Sequence, residues 1–510
     1  MKTIFKTLCV AAAGVVPLSS MAQNYADGYM ISQNLYMGSG RMAAMGSAFG
    51  ALGADFSSLS INPAGIGTYR SSEFLFTPAV SFGKVSSWYE GTHTFDTKLR
   101  MNFNNVGYVY TGKTGNKSGL VSISFAFGYN RMNDLRNNFD IRGVSRYSSI
   151  SDMFYGPGSG PGEDPFFNYR GRLADDTYMY ISDSAMNNDP DHHCPISFEH
   201  VKKIERFGNK GETFFALGGN VSDFFYFGAS VGYESFYLKE TRSFTEYSNR
   251  PAGFVPSDVD IESIYFRETY SLDGGGFNFK AGFIVRPLPF LRAGASIQSP
   301  TGYTLTRRYG TYMETTWYVP DAQGHNAYYA YPNDGTTQLP DDELKFRFRT
   351  PMRITASAGV TLFKMLAADI DYEYVDYRQM LYRSKPDDAL SDFSVQNNDI
   401  RNYMRPTQNV RLGTELKLDN FYLRGGAAYY MSPYIQETNN NKYVTANKDH
   451  YTLVYNAGIG FRQNNVFFDL GYSLYQMKES IFLYDALTLT EPANLTYVSN
   501  RVIATIGFKF

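Results

Sequence analysis

Val410-Arg411-Leu412-Gly413-Thr414-Glu415-Leu416-Lys417-Leu418 changes character at every residue. Side chains of an extended strand alternate between its two faces, so one face carries Val410, Leu412, Thr414, Leu416 and Leu418. The other carries Arg411, Gly413, Glu415 and Lys417. The pattern recurs along the chain. Ala368, Ile370, Tyr372 and Tyr374 oppose Asp369, Asp371 and Glu373, and Leu453, Tyr455, Ala457, Ile459 and Phe461 oppose Val454, Asn456, Gly458, Gly460 and Arg462. A soluble sandwich also alternates, but it buries its apolar face against a second sheet and normally carries less Gly and Ala on its polar face.

Working outward, fourteen such segments read as strands, near 72–89, 98–111, 119–130, 212–220, 223–242, 266–285, 289–306, 344–362, 365–380, 406–418, 420–432, 450–463, 465–478 and 499–510. Their connections decide between sandwich and barrel. Short ones fall near 113–118, 220–223, 286–289, 363–364, 419–420 and 463–465; long polar ones fall near 131–211, 243–265, 307–343, 381–405 and 433–449. Short turns at one end and long loops at the other, with an even strand count, are the asymmetry of an outer-membrane barrel. In the last segment Val502, Ala504, Ile506, Phe508 and Phe510 share one face, opposite Ile503, Thr505, Gly507 and Lys509. A final strand ending in Phe510 resembles the C-terminal signal read by the barrel-assembly machinery of Gram-negative outer membranes.

Composition agrees. The 510 residues hold 47 Lys+Arg against 49 Asp+Glu, a net charge of −2 that disfavours nucleic acid as a partner. Aromatic residues make up 16% of the chain and charged residues only 19%. The mean hydropathy of −0.33 excludes a helical membrane protein, but not a barrel, in which lipid-facing and interior residues cancel. Residues 1–22 read as a signal peptide, with Lys2 and Lys6 before the apolar Leu8–Leu18 stretch and Ser20-Met21-Ala22 as the cleavage site. Cys9 leaves with it, so Cys194 has no partner for an intramolecular disulfide. Residues 23–71 do not alternate. Their Gly, Ala, Ser and Met content suits a compact hatch inside the lumen, a disordered arm being the alternative, and residues 72–510 form the barrel.

Within 23–71, Gly38-Ser39-Gly40-Arg41-Met42-Ala43-Ala44-Met45-Gly46-Ser47-Ala48-Phe49, then Ala54-Asp55 and Asn62-Pro63-Ala64-Gly65, resembles the N-terminal hatch of the FadL / OmpP1 / TodX outer-membrane transport family. Over about 30 residues the spacing fits the family pattern of R-x-x-x-M-G-x-A-x-x-A, an acidic residue and N-P-A-G. The resemblance implies a fourteen-stranded barrel plugged by this hatch, acting as a TonB-independent passive channel for hydrophobic molecules such as long-chain fatty acids or aromatic hydrocarbons. It implies gating by Gly40, Arg41, Met45, Gly46, Ala48, Phe49, Asp55, Asn62, Pro63, Ala64 and Gly65, and lateral exit through a gap made by a kinked strand. Asn62 can bond neighbouring backbone while Pro63 restricts it to an extended conformation, which makes a defined turn. Pro78 lacks a ladder donor and Gly128 weakens pairing, so each is a candidate kink, as Gly274-Gly275-Gly276 is a candidate bulge. A monomer embedded in outer-membrane lipid, with no cofactor, completes the expectation.

Other chemistry has weaker support. Gly38-x-Gly40-x-x-Ala43 follows no strand, which argues against nucleotide binding. Gly228-Ala229-Ser230-Val231-Gly232 matches a nucleophile elbow but lies inside an alternating strand, so no enzyme is expected. Asp189-Pro190-Asp191-His192-His193-Cys194 carries metal-ligand residue types in a loop, where a solvated surface is the plainer reading and metal or haem contact the alternative. His93, His200, His325 and His450 fall in or beside outside loops. Arg353, Asp369, Asp371, Glu373, Arg411, Glu415, Lys417, Arg424 and Arg462 read as interior charges that pair with one another. The runner-up functions are a FadL-like barrel acting in protein secretion or surface attachment, and a haem receptor.

Overall fold

A computed structural model of the chain describes residues 25–146, 148–154, 173, 197–249, 260–320, 326–331, 342–385, 392–436, 441–484 and 491–510. Residues 1–22, expected to be a signal peptide, lie outside them. Fourteen antiparallel strands close into one barrel: β1 (Glu73–Tyr89), β2 (Thr92–Lys113), β3 (Leu120–Asp134, continued by Asn137–Ser145), β4 (Ser197–Val221), β5 (Phe225–Asn249), β6 (Asp260–Leu288) and β7 (Leu291–Gln298, continued by Gly302–Pro320). The circuit continues with β8 (Asp342–Arg349, continued by Arg353–Leu362), β9 (Leu366–Asp376, continued by Leu381–Ser384), β10 (Pro406–Leu418), β11 (Phe421–Tyr430), β12 (Thr452–Gln463), β13 (Val466–Ile481) and β14 (Ala493–Lys509). Pairing of β14 with β1, from Glu73↔Lys509 to Trp88↔Asn494, closes the ring. All fourteen expected segments are strands, because each had to keep an apolar residue at every second position along the outward face.

Those outward residues form a continuous apolar belt. On β1, Phe74, Phe76, Val80 and Phe82 are exposed while Glu73, Leu75, Thr77, Ala79 and Ser81 are buried. Val410 and Leu412 are exposed with Arg411 buried between them, as the alternation requires. At the short-turn end, tight hairpins place Ser222-Asp223, Phe363-Lys364 and Asp419 at positive φ, the conformation whose twist matches flanking strands.

The long loops are narrower than expected, and this is a correction. Strands run on through much of 131–211, 243–265 and 307–343, and β6 alone spans 29 residues. Beyond Tyr237 on β5 the alternation keeps its phase but the outward residues turn polar: Lys239, Thr241, Ser243 and Thr245 face out while Leu238 and Phe244 are buried inside beside Glu240 and Glu246. A reading that follows the apolar outward face therefore stops where the strand continues. At this end two apolar clusters fill the barrel, one around Ile141, Phe154, Phe244 and Phe266, the other around Phe236, Phe348, Tyr382 and Tyr434. Helices α3 (Ser394–Tyr403) and α4 (Lys442–Asn447), from the connecting segments, supply Ile400 and Val444 to the second cluster.

Two further expectations change. Gly274-Gly275-Gly276 forms no bulge, since its pairing with β5 and β7 is continuous; Tyr233 lies over Gly275 and the backbone of Gly302 fits against Gly276. The strand breaks lie instead at Leu135-Arg136, Pro300, Pro351 and Tyr377–Gln379. Proline brings no N–H to a ladder, which accounts for the two central ones.

Candidate functional site

Inside this ring lies the segment from Tyr25 to Tyr69. It holds α1 (Tyr25–Ser32), α2 (Gly40–Ala44) and two 3-10 turns, Phe56–Ser60 and Pro63–Thr68. Side-chain caps set its shape. Ser39 Oγ accepts from Met42 N at 3.0 Å and donates to Asp55 at 2.7 Å, and Asp55 caps the first 3-10 turn by accepting from Ser57 N at 2.9 Å. Asn62 accepts from Ala64 N at 3.0 Å and donates to Gly50 O at 2.7 Å, with Pro63 opening the second turn. Asn62 also reaches the wall, at Phe283 O (3.4 Å) on β6.

The wall is cut to this segment. At Gly228 on β5, an added Cβ would collide with the backbone of Pro63 and Ala64; at Gly471 on β13 it would lie 2.5 Å from Gly40 O. Only glycine permits approach this close. Met45 and Gly46 sit likewise against Gly413 and Gly426. Ala48, Phe49 and Ala64 are completely buried, and Gly65 is buried too.

Charge holds the segment as well. Arg41 forms a two-pronged ion pair with Glu415 of β10, both bonds 2.9 Å, donates to Ala54 O and stacks over Phe49. Arg424 pairs with Glu415 at 2.6 Å and with Asp469 at 2.7 Å. Arg353 meets Glu373 at 3.1 Å, and Arg411 bridges Glu373 and Asp371. These pairs follow the expected pairing of interior charges, with three exceptions, the first being Asp369, which bonds backbone N–H groups rather than a charged side chain. Lys417 is exposed beside its turn, and Arg462 stacks on Tyr422 rather than meeting a carboxylate. Burial pushes the Asp55 carboxyl up despite nearby Arg41.

One role escaped sequence reading. Asp371 accepts from Phe49 N and Gly50 N (3.2 and 3.0 Å), and Asp369 from Ala51 N and Leu52 N (both 3.1 Å). Two strand carboxylates thus hold four consecutive backbone N–H groups of the segment. The consecutive inward acids of β9 were visible, but backbone partners leave no mark in side-chain identity.

Above the segment is a cavity of about 180 Å³, lined by Tyr29 and Met30 of α1, Arg100 of β2, Asn133–Asn137 of β3, and Tyr475, Met477, Tyr497 and Arg501 of β13 and β14. It abuts a seam in the wall. The β2/β3 ladder runs only from Lys113↔Ser122 to Asn105↔Asn130; beyond it β2 pairs with β1 alone and β3 with β4 alone. The strands meet again at the tip, where Ser87 and Thr94 hydroxyls donate to Asp140 O. Along the seam the outward Leu99 and Met101 are 65% and 75% exposed. Pro78 coincides with a register shift between β1 and β2, whereas Gly128 is paired in register on both sides, the shifts in β3 falling at Leu120/Ser122 and Arg131/Asn133.

The remaining candidates sit elsewhere. Ser230 is buried within β5, the nearby Gly228 against Pro63. His200 is a buried strand residue rather than a loop one, with Nε2 3.0 Å from Glu246 and Nδ1 3.0 Å from Tyr89. His192, His193 and Cys194 lie outside the described residues. Among the described residues no cluster of His, Cys, Asp or Glu could hold a metal ion, and no helix is long and apolar enough to cross a membrane.

No known protein family matches the sequence, and no curated protein does. Solved structures do match in fold. A Pseudomonas aeruginosa FadL homologue aligns over 93% of this chain and 98% of its own, with a TM-score of 0.54 at 12% identity. The P. putida toluene transporter TodX aligns over 94% and 99%, with a TM-score of 0.51 at 10% identity. A deltaS2 mutant of the TodX monoaromatic hydrocarbon channel aligns over 93% and 99%, with a TM-score of 0.52 at 12% identity. The chain has the fold of these barrels.

Proposed function

We propose that this barrel spans the outer membrane of a Gram-negative cell and passively admits hydrophobic compounds, such as long-chain fatty acids or aromatic hydrocarbons, with residues 23–71 as its hatch. The observation that carries the reading is the cavity beside the β2/β3 seam, on whose outer face Leu99 and Met101 are exposed. A solute in that cavity can leave sideways into the apolar layer without crossing water. Keeping apolar surface from water is worth roughly 25 cal/mol per Å². The chemistry is partition, not reaction.

The apolar belt supports the membrane location, and tight hairpins at one end suit the periplasmic side of such a barrel. Access downward is closed by the hatch, whose turn at Asn62-Pro63 ties Gly50 to the β6 wall. Displacing Arg41, Asp55 and Phe49 as a unit would open that side. The toluene transporter and the FadL homologue share the fold, and their substrates are the first to try.

The test is uptake of a labelled long-chain fatty acid, and separately of toluene, by a Gram-negative host lacking its own channel. Wild type is expected to restore uptake of at least one, and Asn62→Ala/Pro63→Ala to change its rate. Heat-modifiable gel mobility verifies that both proteins are folded barrels. No uptake of either by a folded, surface-exposed wild type rejects the reading.

A further inference from the structure

The outer wall of β7, β8 and β9 changes chemistry where all three strands break, at Pro300, Pro351 and Tyr377–Gln379. Below the breaks the register sets Ile297, Ile354 and Tyr374 side by side, all exposed on the outer face. Above them the same face carries two other rows. Gly302, Arg349 and Leu381 stand in the first, and Thr304, Arg347 and Arg383 in the second. Phe346, Phe348 and Tyr382, which alternate with the arginines, are buried inside, so the exposed Arg347, Arg349 and Arg383 lie on the outer wall.

These arginines are set against their own repulsion. Arg347 and Arg383 are directly opposite across a ladder, where Cβ atoms lie about 5 Å apart and like charges weaken the pairing. Other cations of the outer face have carboxylates. Arg308 bonds Asp273 at 2.9 Å and Glu343 at 3.0 Å, Lys345 bonds Glu343 at 3.1 Å, and Lys203 bonds Glu205 at 3.0 Å. Arg347, Arg349 and Arg383 make no hydrogen bond or ion pair among the described residues. Three cations without a carboxylate thus stand on rigid strands directly above an apolar row.

We propose that this patch seats a phosphorylated glycolipid of the surrounding outer leaflet, its phosphates on Arg347, Arg349 and Arg383 and its acyl chains along Ile297, Ile354 and Tyr374. A guanidinium presents a planar fork of donors that matches phosphate oxygens, and such charge-assisted bonds are roughly twice as strong as neutral ones. A phosphate between Arg347 and Arg383 replaces one repulsion by two attractions. Three cations in two rows suit a lipid with more than one phosphate, and the apolar row gives its chains a track that a soluble anion does not use. The inference rests on the outer-membrane location proposed above, with the long-loop end outward, and not on what the barrel admits.

Native mass spectrometry of the full chain in neutral detergent counts bound lipid. Diphosphoryl lipid A is expected to bind wild type, and Arg347→Gln/Arg349→Gln/Arg383→Gln to bind it on the order of tenfold more weakly, from the charged-donor bonds lost. Lys113→Gln/Lys117→Gln/Lys364→Gln removes the same charge from exposed positions at the short-turn end and should bind as wild type does. Without lipid, the folded gel band of the arginine variant should resist heating at least as well as that of wild type, since the facing charges are gone; with lipid A, wild type should gain resistance and the arginine variant should not. Equal affinity of the arginine variant, an equal loss in the lysine variant, or lipid A stripped of both phosphates binding as tightly as the intact form overturns the site. Phosphatidylglycerol bound as tightly as lipid A overturns the choice of a multiply phosphorylated lipid, and displacement of lipid A by millimolar inorganic phosphate assigns the site to the free ion and overturns the lipid's part. Cell fractionation keeps location apart from binding: an outer-membrane barrel indifferent to lipid A rejects the site alone, and a lipid A-binding barrel found elsewhere in the cell rejects the location alone.

Discussion

Asn62 ties three pieces of backbone together: the start of the second 3-10 turn, the Gly50 carbonyl and, more weakly, β6. Truncating it to Ala leaves Gly50 O buried and unpaired, at a cost of about 1–3 kcal/mol. Asn62→Asp is expected to be worse, because it keeps the Ala64 N–H bond but sets a charged oxygen against the carbonyls that the amide nitrogen had satisfied. Resistance of the folded gel band to heating should fall in the order wild type, Asn62→Ala, Asn62→Asp. A variant Asp as resistant as wild type would mean the donor half of this amide is not needed. The sequence announced half of this: Asn before Pro is a turn signal, and the turn is there. The reach to Gly50, twelve residues back in the chain, is tertiary and has no local signature. The same holds for Asp369 and Asp371, legible as interior acids but not as acceptors for four N–H groups.

A strand as a whole can satisfy two environments in succession, and β5 does. Its lower part sets apolar residues outward and its upper part polar ones, so the period of two and its phase survive while the outward residue types change. Reading by the apolar outward face found the belt and lost the last residues of the strand, 243–249. In that upper part Glu240 lies between Arg206 and Arg242, bonded to both. Burial alone would raise this carboxyl, but the two guanidinium groups outweigh it and hold it down to about 2, from an ordinary 4.5. A carboxyl that ionises more readily folded than unfolded favours the folded strands above its ordinary value, and the advantage is lost as pH falls toward 2. Thermal midpoints by circular dichroism should therefore match at pH 7 and 5 and drop at pH 3. Glu240→Gln should be less stable than wild type at pH 7 and lose less between pH 5 and 3. An equal drop in both proteins would place the acid sensitivity elsewhere.

For the whole molecule, the belt and the interior segment answer different requirements, and they were unequally visible. The belt must be apolar at every second residue, whatever lies inside, so the fourteen strands could be counted from the chain. The seam has no such mark: a missing ladder is an absence of pairing, and the sequence shows only Arg100, Arg131 and Arg136 near one level. The interior segment was legible as composition, since its small residues match wall glycines such as Gly228 and Gly471. Because charged pairs of the wall stay together without it (Arg353 with Glu373, Arg424 with Asp469), removing the segment should not unfold the ring. It would strand Asp369, whose partners Ala51 N and Leu52 N leave with it, and would leave Glu415 with Arg424 and Asp371 with Arg411 as their remaining partners. A buried carboxylate without partners costs about 3–5 kcal/mol if it stays dry, so water should enter and solvate Asp369. Fourteen strands lie between small filled barrels and the aqueous channels of 16–18-stranded porins, wide enough for a wet interior. Deleting residues 25–69 is therefore expected to leave a folded barrel that conducts ions in planar bilayers and sensitises the host to large hydrophilic antibiotics. A deletion variant that folds but stays as tight as the full chain would show that the apolar clusters at the long-loop end close the barrel by themselves, and that the segment is not its plug.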